Sequence, residues 1–459
     1  MFSPDTYVSR RAELKKRLGK GLVLLLGNDL VGMNYHDNEY EFRQDSTFLY
    51  YFGLRHDGLN AVIDIDNDRD ILFGDELTID AIVWTGNQPT LRELAAKAGV
   101  GDVRPSSELK PYLDRARAAA SPIHYIPYYR ADHELKLLSL LDLQPGGAVP
   151  SVPLIKAVVD MRNHKSAEEI AEIEKACTVT AMMHKAAMKA ARPGMKEYEM
   201  RAIVEKVAME NGMRCSFPTI ATVHGEILHN HSYDNTLESG QLFLLDAGAE
   251  TPMGYAGDMS STSPVDLRYT ERQKVIYDLQ QAASRAAVAM LRPGVPFREV
   301  HLQAARTIAS GLKDLGIMKG DVDEAVVAGA HAMFFPTGLG HMMGLDVHDM
   351  ENLGEVWVGY DGEPKSTMFG LKSLRLARPL EEGFVFTIEP GIYFMPELTA
   401  LWKSEGQHKD FINYAEAEKW LGFGGVRNEE DYLITSGGHR RLGPGIPMTT
   451  EEVESLKYS

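Results

Sequence analysis

The chain has 459 residues, 44% hydrophobic and 25% charged, an ordinary globular balance with room for two or three domains at roughly 150 residues each. Its 65 acidic side chains outnumber 48 basic ones, for a net charge of −17, which argues against the basic stripe that a nucleic-acid or anionic-membrane partner requires. The two cysteines, Cys177 and Cys215, are too few for a disulfide framework and wrongly spaced for a zinc knuckle, so both read as buried thiols in a reducing compartment.

Residues Met1–Lys20 carry Asp5, Arg10, Arg11, Glu13, Lys15 and Lys16 and lack the apolar core of a signal peptide. The apolar run Leu22–Leu26 falls far short of the ~20 residues that cross a bilayer. A cytoplasmic location with no membrane partner is the expectation. Ser3 and Asp5 open a helical pattern to Leu18, which Gly19 ends, and Leu22–Leu26 reads as a strand. Ala61–Ile65 and Asp70–Phe73 flank the turn-rich Asp66-Asn67-Asp68 as a hairpin. Helices are expected at Thr90–Ala98, Ser107–Ala119 and His133–Leu141, with a strand at Ile123–Ile126. The Pro/Gly-rich run Gln144–Pro150 is the best linker, dividing a smaller α/β domain, 1–150, from a larger domain, 151–459.

Beyond the linker, Ser166-Ala167-Glu168-Glu169 fits a capping box opening a helix to about Ala191. Arg192-Pro193-Gly194 and a second helix to Asn211 follow. About a hundred residues later the text repeats: helix from Glu271 to Leu291, Arg292-Pro293-Gly294, helix from Phe297 to Leu315. The repeat predicts an internal duplication with two halves about a pseudo-twofold, although Pro-Gly is also a common way to end any helix. Strand-rich sequence follows each unit, so the fold class is α+β, two helix pairs covering a sheet assembled from both halves.

Phe243–Gly248 and Tyr255–Ser260 read as strands around Thr251-Pro252-Met253-Gly254. A turn centred on Pro252 would set Asp246 opposite Asp258 with Cβ atoms ~4.5–5.5 Å apart. Two carboxylates that close repel unless one is protonated or a cation intervenes; alternatively, both are ordinary turn-flanking aspartates. Further on, Gly338-Leu339-Gly340-His341 sets a histidine in glycine-rich backbone, with His348 seven residues later. Phe384–Gly391 buries Glu389 at the end of an apolar strand, where an ionised carboxylate is costly alone. Gly424–Ile434 bears Glu429, Glu430 and Asp431. Two Asp, one His and two Glu form a hard, oxygen-rich ligand set suited to Mn²⁺, Co²⁺ or Zn²⁺.

These segments resemble those of the pita-bread metallopeptidases, the family of aminopeptidase P, prolidase, methionine aminopeptidase and the metal-free creatinase. The likeness covers nearly the whole chain, and Arg43–Gly53 is similar to a stretch in the N-terminal domain of aminopeptidase P and prolidase. Methionine aminopeptidase lacks that domain, and creatinase lacks the acids retained here. The resemblance implies a pita-bread catalytic domain behind a creatinase-like N-terminal domain, with two divalent metals, Mn foremost. Asp246 would bind one metal, His341 and Glu389 the other, and Asp258 and Glu429 would bridge them; Glu430 and Asp431 are local rivals for the last place. The motif Val-Arg-x-Glu is kept at Val426–Glu429, but Asn428 replaces its usual aliphatic residue.

The same resemblance implies hydrolysis of the Xaa-Pro bond by a hydroxide shared between the metals. Glu389 would carry the proton to the leaving nitrogen, His348 would stabilise the tetrahedral intermediate, and His229 would line the substrate site, with His231 its local competitor. Small proline-containing peptides are the expected substrates, and a homodimer or tetramer the expected assembly. For the subtype, Xaa-Pro aminopeptidase leads and Xaa-Pro dipeptidase (prolidase) is the alternative, with organophosphate hydrolysis as a side activity. A prolidase needs a cation for the free proline carboxylate, and Arg375 and Arg427 are the candidates. Arg375 reads equally as part of a solvated basic face with Lys372 and Arg378. A metal-free peptide-binding module on the same fold is the rival from another class.

Overall fold

In the computed structural model, which describes residues 1–458, the chain forms two compact units. One comprises Met1–Arg162 together with Met350–Trp357, the other Asn163–Asp349 together with the described residues from Val358 onward. The division falls beyond the Gln144–Pro150 linker. Among the described residues no helix is long and apolar enough to cross a membrane.

The first unit runs α1 (Pro4–Leu18), β1 (Leu22–Leu26), α2 (Ser46–Phe52), β2 (Asn60–Asp64), β3 (Arg69–Gly74), α3 (Ile79–Thr85), α4 (Leu91–Lys97), β4 (Asp102–Pro105), α5 (Leu109–Ala118), β5 (Ile123–His124) and α6 (Ala131–Leu141). Its sheet has the order β4-β3-β2-β1-β5. The expected β2–β3 hairpin forms, with Asn60 opposite Phe73. β1 and β2 are buried at every position, which explains runs of apolar residues without alternation. Leu22, Leu24, Val62 and Phe73 pack against Leu109 and Leu113 of α5 and Leu137 and Leu141 of α6.

Three helices of this unit, α2, α3 and α7 (Val152–Asn163), are not foreseen in the sequence. α2 arises inside the Arg43–Gly53 stretch because Asp45 accepts from Phe48 N at 2.9 Å, a helix N-cap. Gln44 Oε1 accepts from Asn28 N and Asp45 N at 2.6 and 2.9 Å, so this motif satisfies buried backbone. α3 has no buried residue and exposes Ile79, Val83 and Trp84.

After α7 (Val152–Asn163), the second unit begins with α8 (Ala167–Ala190) and α9 (Glu197–Glu210), then β6 (Arg214–Cys215), β7 (Ile220–Thr222), β8 (Leu242–Ala247), β9 (Ala249–Glu250) and β10 (Met259–Pro264). It repeats with α10 (Glu271–Val288) and α11 (Phe297–Asp314), followed by β11 (Val385–Ile388), β12 (Gly391–Tyr393), β13 (Gly425–Arg427), β14 (Glu430–Thr435) and β15 (Gly438–Arg441). The strands form short ladders, β10-β8-β7, β11-β14-β15, β12-β13 and β6-β9. The Ser166–Glu169 capping box is present.

The duplication extends to hydrogen bonds. Gly194 N donates to Leu237 O and Leu237 N returns a bond to Met195 O, both at 2.8 Å. In the second half Gly294 N donates to Leu380 O at 2.8 Å and Leu380 N to Val295 O at 2.9 Å. Each Arg-Pro-Gly turn is thus pinned to the segment just ahead of a strand that places a site acid, β8 with Asp246 in one half and β11, which Glu389 follows, in the other. One expectation needs correction: Cys177 is buried, but Cys215, on the short β6, is only half-buried.

Candidate metal and active site

β8 and β10 pair as a hairpin, but not in the expected register. Asp246 opposes Ser260, and Ala247 opposes Met259, so the pairing is centred on Met253 rather than Pro252. The turn sets this: Gly254 N donates to Thr251 O at 2.8 Å, Thr251 N to Tyr255 O at 2.9 Å, and Gly254 takes φ +90°, a conformation open to glycine. Because Asp258 lies two residues before Ser260, it remains on the face of Asp246 as a diagonal neighbour. Across β8, Ile220 of β7 is also paired with Asp246. A row of Ile220, Asp246 and Ser260 therefore crosses the sheet on one face.

His341 reaches this face through backbone approach. Glu389 N donates to Leu339 O at 2.8 Å and Thr387 N to His341 O at 3.1 Å, laying residues 339–341 along β11. A Cβ on Gly340 would stand 2.0 Å from Thr387 O, so only glycine permits the contact. The His341 ring has Nδ1 3.1 Å from Met342 O, which fixes the proton there and leaves Nε2 as an acceptor. Nε2 stands 3.4 Å from Asp258 Oδ2 and 3.5 Å from Glu389 Oε1. A lone pair facing two carboxylates is repulsive unless a cation lies between them.

The electrostatics agree. Burial, then the charge of Asp246, pushes the Asp258 carboxyl well above its ordinary range. Burial, then Asp258, does the same to Glu429, and burial raises Glu389 to about 7. Asp258 Oδ1 is buried without a hydrogen-bond partner among the described residues. One ligand atom each from Asp258, His341 and Glu429 lie within 4.8 Å of one another, an arrangement able to hold a metal ion. A divalent cation would remove each of these penalties at once, so the residues fit a metal centre.

Arg427 organises the opposite side. It is 4% exposed and donates from Nη2 to Asp246 Oδ2 at 2.6 Å, from Nη1 to Tyr393 OH at 2.9 Å and from Nε to Ser260 Oγ at 2.9 Å. Ser260 Oγ in turn donates to Glu429 Oε2 at 2.7 Å. With Nε, Nη1 and Nη2 each engaged, Arg427 orients Asp246. Asp431 lies behind the site: its Oδ2 accepts from Asp258 N and from the Cys177 thiol at 3.2 and 3.1 Å. Glu430 is tied instead to Arg441 at 3.1 Å. Of the three acids, only Glu429 borders the cavity.

That cavity, about 500 Å³, is lined by Asp246, Asp258, His341, Glu389 and Glu429 together with His229, His348, Arg375 and Arg427. Every site residue read from the sequence therefore meets in one place. His231 borders it as well, leaving its rivalry with His229 open. Arg375 reaches the cavity, while its basic neighbour Lys372 sits over Phe369 and Arg378 pairs with Glu381 at 2.7 Å. The His348 ring lies tilted against that of His341, ring centroids 4.1 Å apart. Its loop is anchored by a buried ion pair, Lys165 Nζ to Asp349 Oδ2 at 2.8 Å. The apolar wall, invisible in the sequence, comprises Phe217, Pro218, Ile220, Leu228, Pro336 and Val347. Ser260 and Tyr393 were also missed; only the unusual hydroxyl-rich strand Met259–Pro264, buried throughout, hinted at the former.

Residues 171–436 match metallopeptidase family M24, and residues 7–124 match the N-terminal domain of aminopeptidase P. The chain is 30% identical to Xaa-Pro aminopeptidase of Escherichia coli K12, with 99% of this chain and 98% of that one aligned. It is 31% identical to human Xaa-Pro dipeptidase, over 98% and 92% of the two chains. The structure of Pseudomonas aeruginosa aminopeptidase PepP superposes with a TM-score of 0.82 at 27% identity, covering 100% of this chain and 98% of that one.

Proposed function

The chain belongs to metallopeptidase family M24, and from that premise we propose that it hydrolyses the bond between an N-terminal residue and proline, as an Xaa-Pro aminopeptidase. The observation that carries this reading is the convergence of Asp246, Asp258, His341, Glu389 and Glu429 on one cavity. Small proline-containing peptides are its substrates. Asp246 would hold one divalent ion, His341 and Glu389 a second, with Asp258 and Glu429 shared between them, manganese being the first candidate. When bound, such ions supply Lewis acidity, which acidifies water and polarises the scissile carbonyl.

The chain's own groups supply the rest. Glu389, at the cavity edge with Oε1 3.5 Å from His341 Nε2, would take a proton and hand it to the leaving proline nitrogen. Thr387 Oγ1, 3.3 Å from Glu389 Oε1, steadies that carboxylate. His348, carried on the loop anchored by Lys165 and Asp349, donates to the oxyanion. Arg427 keeps Asp246 in place through its 2.6 Å bond. The scissile nitrogen has no N–H to recognise, so the apolar wall of Phe217, Ile220, Leu228 and Val347 selects the ring and its neighbour by shape while excluding water. The exposed Ile79, Val83 and Trp84 of α3 support a homodimer or tetramer, and a cytoplasmic location belongs to the same reading.

A second reading rests on one residue. Arg375 borders the cavity, where its planar fork could pair with the carboxylate of a C-terminal proline, as an Xaa-Pro dipeptidase requires. Incubation with Mn²⁺ and two substrates, an Xaa-Pro dipeptide and a longer Xaa-Pro peptide, separates the two. Preference for the longer peptide is expected; cleavage of the dipeptide alone makes the protein a dipeptidase. Cleavage of neither refutes both.

A further inference from the structure

Asn428 stands between Arg427 and Glu429, at the position where the Val-Arg-x-Glu motif ordinarily carries an aliphatic residue. Its side chain is fully buried, yet no polar atom is wasted. Thr262 N donates to Asn428 Oδ1 at 3.0 Å, and Asn428 Nδ2 donates to Gln280 Oε1 at 2.7 Å. Gln280, from the middle of α10 and equally buried, donates from Nε2 to Pro390 O at 2.7 Å and to Asn428 O at 3.1 Å. Its Oε1 also accepts from Gln281 Nε2 at 3.0 Å.

The two carbonyls matter because of their neighbours. Pro390 follows Glu389 and Asn428 precedes Glu429. One amide group thus ties the backbone after one glutamate to the backbone before the other, and both to α10. An aliphatic pair would fill the space without holding either carbonyl, and a lone amide would leave buried groups without partners.

We infer that Gln280 and Asn428 are positioning residues, a buried amide clasp across the break between the Ile388–Glu430 and Gly391–Arg427 pairs, where Glu389 faces Glu429, that tunes the separation of the two glutamates and so their fit to divalent ions. The inference rests on the proposed metal-holding role of those glutamates. Groups behind a metal ligand typically change metal affinity by about 10–100-fold when removed.

The test uses full-length, metal-stripped protein titrated with Mn²⁺ in a calorimeter, with Tm measured separately without metal. Gln280→Met keeps the packing and deletes the bonds to both carbonyls; Mn²⁺ affinity is expected to fall about tenfold or more. Asn428→Val, which restores the motif's aliphatic residue, leaves Gln280 Nε2 in reach of both carbonyls and is expected to cost about threefold to tenfold. Gln280→Asn, too short to span both carbonyls, is expected to bind no better than Gln280→Met. Variants that lose Tm but bind Mn²⁺ as tightly as the parent overturn the inference, because a merely structural pair would behave that way. Should Gln280→Met fail to fold, parental affinity in Asn428→Val overturns it alone. A parent that takes up no divalent metal overturns the underlying reading of the site, an outcome distinct from equal affinities.

Discussion

Thr180 and Gln280 occupy matching places in the duplicated helices, each the same distance before its Arg-Pro-Gly, and both are fully buried. Thr180 Oγ1 accepts a bond from Ala249 N at 2.9 Å, in the hairpin that joins Asp246 to Asp258. Gln280 reaches two carbonyls beside two glutamates. The difference follows from chain connectivity. Asp246 and Asp258 share a hairpin, so the backbone ladder fixes their relation and the helix needs only to anchor the sheet. Glu389 and Glu429 are separated in sequence by an insertion containing the helix Pro396–Glu405 and face each other between two short ladders, the pair Ile388–Glu430 on one side and Gly391–Arg427 on the other. There the ladder is interrupted at the acids themselves, and Gln280 bridges the Pro390 and Asn428 carbonyls across the gap. The local acids are placed by one hairpin, the distant ones by two flanking ladders with a buried amide spanning the break between them.

The sharpest break of this comparison is Glu389→Ala. Glu389 adjoins the clasp and serves as both proposed ligand and proton carrier, so kcat on an Xaa-Pro peptide with Mn²⁺ should fall about 10³-fold or more. Near-parental turnover in a folded variant would remove the second half from the chemistry. Next in size is Arg375→Ala. A charge-assisted contact to a carboxylate is worth about 1.5–3 kcal/mol, so the KM for an Xaa-Pro dipeptide should rise about tenfold to a hundredfold while a longer peptide is little affected. Equal effects on both substrates would strip Arg375 of any part in length selection.

The same contrast decides what the sequence could reveal. The two long helix pairs, the duplication and the acids were legible because capping boxes, Arg-Pro-Gly turns and buried acids at strand ends are local signals. The register of the β8–β10 hairpin was not: composition marks a turn between Thr251 and Gly254, but only the Thr251–Tyr255 and Thr251–Gly254 bonds place its centre. The cavity wall was hidden because Phe217, Leu228 and Val347 come from separate loops, where no periodicity applies. Arg427 was recognised as a cation near the site, yet its bonds to Asp246, Tyr393 and Ser260 depend on three distant segments. Asn428 read as a slight departure, and its partner Gln280 gave no signal among other helical glutamines.

Thr180→Val tests the other side of the comparison. It strands a buried Ala249 N–H, which costs about 1–3 kcal/mol of stability, readable as a lower chemical-denaturation midpoint. The hairpin ladder still sets Asp246 against Ser260, so Mn²⁺ affinity should stay within about threefold of the parent, inside the lower bound seen when groups behind ligands are lost. A tenfold loss would mean that both halves rely on helix contacts and that register alone places nothing.

The smallest effect lies farther from the cavity, at the matching positions Arg201 and His301 of α9 and α11. Arg201 is half-buried and donates to Glu205 at 2.6 Å. His301 is wholly buried, 6.3 Å from the His331 ring and 5.1 Å from Phe335, because residues 330–335 cover that face of α11. Burial pushes His301 down to about 3 and His331 down to about 4, from an ordinary value near 6.5. The unfolded chain therefore binds protons near pH 6.5 that the folded one refuses until pH 4 or below. The stability from keeping both rings neutral is complete above about pH 6.5 and is lost as the pH falls toward 4 and 3, at up to about 1.4 kcal/mol per pH unit for each ring. In His301→Phe, which extends the aromatic contact with Phe335, the decline in Tm between pH 6.5 and 4.5 should be shallower than in the parent. An unchanged slope would show that one or both rings are charged in the fold, and that the cover over α11 is looser than its packing implies.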